Sequence, residues 1–185
     1  FEKNESLSEP LHNYFLQQFR IYLLVGGLPE AINKFLEARN LAHVREVQRD
    51  ILNLYKIDAS QYDTERRLVI RKIYEMIPSN MENKKKRIVV KRIEDKAGHK
   101  QFSDYADEFE YLTNSGIALS VQAISDPRFP LIESESKNLI KLYLNDVGLL
   151  TSLLYGLNIN AVLGDERSIN LGSVYETVVA QELHA

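Results

Sequence analysis

The sequence has no cysteine, which removes disulfides, thiolate metal sites and thiol nucleophiles and leads us to expect a reducing compartment. It also lacks a long apolar run. The richest window, Leu139 to Leu157, is interrupted by Lys141, Asn145, Asp146 and Gly148, and is a poor membrane span. Residues 1 to 20 are too polar for a secretory signal, so a cytoplasmic location with no membrane partner is expected. Charge of one sign is missing as well. The 23 Lys and Arg against 26 Asp and Glu leave a net charge of −3, so any nucleic-acid contact needs a local patch.

Several chemical motifs are also absent. No stretch matches G-x-x-x-x-G-K-[ST], and Gly26-Gly27 is followed by Leu28-Pro29 with no lysine to reach a phosphate. No bound cofactor is therefore expected in this chain. The histidines His12, His43, His99 and His184 are far apart and match no metal-binding helix spacing, so no metal site is expected either. There is no nucleophile elbow, and no catalytic serine, histidine and acid set can be picked out.

What is present is periodic apolar sequence, 44% of 185 residues, enough for a sizeable core. Leu11, Tyr14, Phe15, Phe19, Tyr22 and Leu23 have helical spacing, and Gly26-Gly27 stops that helix. Pro29 suits the first turn of a second helix carrying Ala31, Ile32, Phe35 and Leu36. A third runs from about Leu41 to Ile57 on Val44, Val47, Ile51, Leu54 and Tyr55. Asp63 and Thr64 are N-caps for a fourth, which Pro78 helps to end. A fifth spans about Gln101 to Asn114 with Phe102, Tyr105, Ala106, Phe109 and Leu112 on one face. IALSVQAI and NLIKLYL alternate like the two strands of a hairpin, and VGLLTSLLY and GSVYETVVAQELHA read as final helices. The expected fold class is mainly α (α+β). Residues 1–62 form a helical region, residues 63–157 a winged helix-turn-helix-like unit with a small β-hairpin, and residues 158–185 a linker and one more helix.

Two sets of residues invite a functional reading. Lys84, Lys85, Lys86, Arg87, Lys91 and Arg92 form a basic cluster that could neutralise phosphates, and Arg66, Arg67, Arg71 and Lys72 could enlarge it. The helix that would enter a groove opposes this. Between Ser103 and Tyr111 it holds Asp104, Asp107, Glu108 and Glu110 and no base, so it would meet phosphates with like charge. The second set is Asn145-Asp146 inside KLYLNDVGLLTSLLYG. A strand-to-helix junction leaves the first helical amides without acceptors, and Asp146 suits the structural N-cap better than a catalytic acid. Gly148 would let that first turn approach a neighbouring backbone, with Leu149, Leu150, Leu153 and Leu154 facing inward.

YLLVGGLPEAI at 22–32, VQRDILNLYKIDASQY at 47–62, YLTNSGIALSV at 111–121, KLYLNDVGLL at 141–150 and GSVYETVVAQEL at 172–183 resemble the successive motifs of one family. It is the domain of unknown function, numbered 4143, that follows the ATPase module in prokaryotic AAA-type ATP-binding proteins. The resemblance implies a preceding P-loop module that binds ATP and Mg, a winged-helix-like unit, and a last fold related to restriction endonucleases. Its own ATPase module is then one partner, with DNA, another protein or a second copy as further ones. In such nuclease folds an acid on the first helix works with a later D…[ED]-x-K. Here only Glu176 falls at the first position, a weak catalytic candidate, and the rest of the motif would lie beyond Ala185. The sequence departs from the family in two places. Ala97-Gly98-His99-Lys100 stands where an arginine is common, and Tyr111 where a tryptophan is common. The implied function is a non-catalytic binding and coupling module, with a metal-dependent nuclease or a structural oligomerisation adaptor as the alternatives.

Overall fold

A computed structural model describes residues 7–61, 66–82, 93, 101–124, 126, 135–164 and 169–184. Among them lie eight helices and one antiparallel strand pair, which makes the fold mainly α. The order is α1 (Glu9–Val25), α2 (Pro29–Ala38), α3 (Leu41–Gln61), α4 (Arg67–Glu82), α5 (Ala106–Asn114), β1 (Ala118–Ile124), β2 (Glu135–Leu144), α6 (Val147–Tyr155), α7 (Ile159–Leu163) and α8 (Gly172–His184). The N-caps expected at Asp63 and Thr64 lie outside the described residues. So does the basic stretch between α4 and α5, apart from the buried Ile93.

Pro29 starts α2, and Gly26 ends α1 at a positive φ of 78° that favours glycine, its amide donating to the Tyr22 carbonyl. α4 does not end at Pro78 as expected but continues to Glu82. Its extra turn carries Met81 into a cluster with Leu119, Tyr143 and Ala180, and that burial outweighs the lost amide donor. The first residues of the expected fifth helix form a 3-10 turn, Phe102–Tyr105, where Gln101 and Asp104 cap each other. α7 was not anticipated. It is five residues long, and Ala161 and Val162 are its buried side.

β1 and β2 pair Ala118 with Leu144, Leu119 with Tyr143 and Val121 with Lys141, with an irregularity between Gln122 and Ile124. One apolar cluster draws Leu23, Leu24, Ile51 and Leu52 together with Ile73, Tyr74, Leu112, Leu144, Leu149, Val162 and Val174. Residues from 1–62, 63–157 and 158–185 thus share one core.

Three helical faces differ from expectation. On α3 the buried line runs through Val44, Arg45, Gln48, Ile51 and Leu52, while Leu54 is exposed, because two of the buried positions are polar. On α6 Leu149 and Leu150 are buried, but Leu153 lies on the surface. The first half of α1 exposes Leu11, Tyr14, Phe15 and Leu16, and only its end, from Leu23 to Val25, is in the core.

Candidate functional site

Four buried polar residues, Arg45, Gln48, Asp146 and Thr151, converge where α1 turns into α2 against α6. β2 delivers Asp146 to the N-cap of α6, and its Oδ1 accepts the Leu149 amide at 3.0 Å. Its Oδ2 reaches across the chain and accepts the Gly27 amide at 2.7 Å. Only glycines permit this approach. A Cβ on Gly26 would stand 2.2 Å from the Asp146 carboxylate, and one on Gly148 would stand 2.6 Å from the Val25 carbonyl oxygen. Burial pushes the Asp146 carboxyl above its ordinary value of 3.8, while the amides of Gly27, Leu149, Gly148 and Leu28 pull it down.

Beside Asp146 the last carbonyls of α1 are taken by side chains. Thr151 Oγ1 donates to the Leu23 carbonyl at 2.8 Å, and Gln48 Nε2 donates to those of Leu24 and Val25 at 2.8 and 3.0 Å. Arg45 Nη1 donates to the carbonyls of Leu24 and Gly148 and to Gln48 Oε1, and its Nε donates to the Gly156 carbonyl at 3.1 Å. Burial lowers this guanidinium to about 10. Two of its carbonyl acceptors, Leu24 and Gly156, lie at the C-terminal ends of α1 and α6, where the helix dipoles are negative, and the third, Gly148, is in the first turn of α6.

Hydrogen bonds tie the five quoted segments together, four of them around this node and the 111–121 segment through the far part of α3. Gln181 Oε1 of α8 accepts the Val147 amide at 3.2 Å, Asn145 Nδ2 donates to Tyr55 Oη at 3.2 Å, and Tyr111 Oη donates to the Asp58 carbonyl at 3.1 Å. Asp146 is 1% exposed and both its oxygens are engaged, so the arrangement holds elements together and presents no free carboxylate to a substrate.

The other sequence candidates lie elsewhere. Glu176, on α8, forms an ion pair with Lys141 of β2, whose ammonium also stands 4.9 Å from the centre of the Tyr143 ring. Burial alone would lower Lys141, but Glu176 and Tyr143 outweigh it and hold the ammonium above 10.5. Lys84, Lys85, Lys86, Arg87, Lys91 and Arg92 lie outside the described residues. Of the bases that could enlarge their patch, Arg66 pairs at 2.5 Å with Glu108, which α5 buries, and Arg71 pairs with Glu75. Among the described residues no group of three His, Asp or Glu could hold a metal, and no helix is long and apolar enough to cross a membrane.

Arg45, Gln48, Thr151 and Gln181 escaped the sequence reading. The signal was present in α3, where Leu41, Val44-Arg45, Gln48, Ile51-Leu52 and Tyr55 keep helical spacing only if the polar pair is counted inside.

No curated protein and no solved structure matches the chain. One family model does, over residues 16–161, from the first half of α1 through the node to the middle of α7. Its description is "Domain of unknown function (DUF8612)", and the chain belongs to that family.

Proposed function

We propose that this chain is a non-catalytic coupling module that links the nucleotide state of an AAA-type ATPase to a DNA or protein partner. The observation that carries this reading is the grip on the end of α1. Side chains from α3 and α6 take three successive carbonyls, and Asp146 takes the next turn. A helix held this way passes a displacement to α6, β2 and α8 as a rigid lever rather than absorbing it in a flexible joint. The resemblance to the ATPase-associated family numbered 4143 supplies the module that would move it, with ATP and Mg bound there and not here. In that arrangement residues 1–62 follow the ATPase, residues 63–157 form the winged-helix-like unit, and the protein works in the cytoplasm. The Lys141 partnership of Glu176 supports leaving nuclease chemistry out of this chain.

The reading frame upstream is the first test: without a G-x-x-x-x-G-K-[ST] segment there, the coupling reading fails. With one present, Gln48→Ala in the full protein should keep basal ATP hydrolysis and lose its response to the partner. An undiminished response would also sink the reading. For DNA as that partner, a K84A/K85A/K86A/R87A variant should bind more weakly and with a shallower salt dependence.

A further inference from the structure

An exposed apolar face begins on the free half of α1. Leu11, Phe15 and Phe19 form a ridge at i, i+4 spacing, and the Phe19 ring stacks on Tyr175 of α8, 6.1 Å between centres and 14° between planes. From Tyr175 the face continues at the same spacing through Val179 and Leu183, which are 56% and 83% exposed. Beside them a groove of about 330 Å³ opens between α8 and the hairpin, lined by Val121, Tyr143, Val179 and Leu183. Ridge and groove therefore lie on one continuous surface.

Two carboxylates bordering this surface already have partners. Glu176 pairs with Lys141, and Glu182 accepts from Tyr22 Oη at 3.3 Å. With Lys141 held by Glu176, the groove offers no free base to neutralise a phosphate, and the exposed apolar residues suit an apolar counterpart. The exposed portions of its aromatic and aliphatic side chains amount to roughly 650 Å², at the lower end of the ~600–1,000 Å² that each partner contributes to a standard stable interface. A surface that carries both a ridge and a matching groove can satisfy itself through a two-fold axis, each copy supplying both halves.

We propose that this face joins two copies of the chain, the α1 ridge of each seated in the α8–β1 groove of the other. This goes beyond the coupling reading and does not depend on it. A partner ATPase or a nucleic acid plays no part in the contact.

The test is sedimentation equilibrium of the 185-residue chain from about 1 to 100 μM. The expected result is a reversible equilibrium between a 21.3 kDa species and one of twice that mass. Phe15→Asp on the ridge and Val179→Asp in the groove should each weaken association at least about tenfold. Leu68→Asp on the exposed face of α4, away from this surface, should leave it unchanged. Should either aspartate variant fail to give wild-type circular dichroism, Phe15→Ser and Val179→Ser take its place. A single 21.3 kDa species throughout, or aggregates of indefinite size, would overturn the proposal. So would loss of association in the ridge variant alone, since ridge against ridge would then suffice.

Discussion

The two ends of α1 are held by different physics. At its C-terminus three carbonyls accept from Thr151, Gln48 and Arg45, and Gly27, the second of the two glycines that follow, donates to Asp146. At its N-terminal half Leu11, Tyr14 and Phe15 lie at the surface. Hydrogen bonds inside a protein are directional and costly to leave unmade, so the gripped end has one geometry. Apolar contact is proportional to area and indifferent to direction, so the free end suits a partner that comes and goes. A helix built this way is anchored to the fold at one end and offers contact area at the other.

The sharpest way to break this contrast is to crowd the gripped end. A methyl at Gly148 would meet the Val25 carbonyl at 2.6 Å, and backbone cannot swing aside as a side chain can. Gly148→Ala should cost about 3 kcal/mol, read as a drop in the denaturation midpoint at unchanged m-value. A loss below about 1 kcal/mol would mean that α1 and α6 can slide apart and the grip is loose.

Removing the acceptor comes next. An ordinary N-cap is worth about 1 kcal/mol, but Asp146→Ala strands the amides of both Leu149 and Gly27. The buried Leu149 amide left unpaired costs about 1 kcal/mol or more and the part-buried Gly27 amide less, so we expect about 1.5 to 2 kcal/mol in equilibrium unfolding. A value near 1 would reduce Asp146 to a cap and remove its hold on the α1 corner.

Protonation tests the same contact with a smaller effect. Burial raises the folded-state value of Asp146 above 3.8, so the folded state holds this proton more tightly than the unfolded state does. Its contribution to stability is therefore largest below that value and is lost as the pH rises from 3.8 through the folded value. Asp146→Asn removes the titration. The stability of the wild type relative to this variant should fall with rising pH in that window and level off above it. A difference that instead rose with pH would show the backbone amides outweighing burial.

Much of this contrast was legible in the sequence, but unevenly. The helix stop at Gly26, the cap at Asp146 and the close approach at Gly148 are local consequences of single residue types, which one sequence displays. The grip itself is not local. Arg45 and Thr151 are 106 residues apart and Gly27 and Asp146 are 119 apart, so nothing short of the fold reveals that they meet. Polarity also misleads. Arg45 and Gln48 look like surface residues on a helix whose apolar stripe passes beside them, and the face is placed correctly only when they are counted inside. The aromatic residues of α1 mislead in the opposite sense, since their spacing predicts a core face and the fold leaves it uncovered.

The smallest expected effect is at the free end. Phe15 is 51% exposed, and its ring stands T-shaped to that of Tyr14, 5.8 Å between centres. Phe15→Ala would forfeit the half of the side chain that is covered, worth about 1 kcal/mol, and would regain about half of that because alanine is the better helix former. The net change in monomer stability should therefore stay within about 0.5 kcal/mol, measured at a concentration low enough to keep the chain dissociated. Set against Gly148→Ala, this places a several-fold difference on the two ends of one helix. If Phe15→Ala instead cost as much as Gly148→Ala, the outer half of α1 would belong to the fold's own core, and its exposed ridge would no longer be available to a partner.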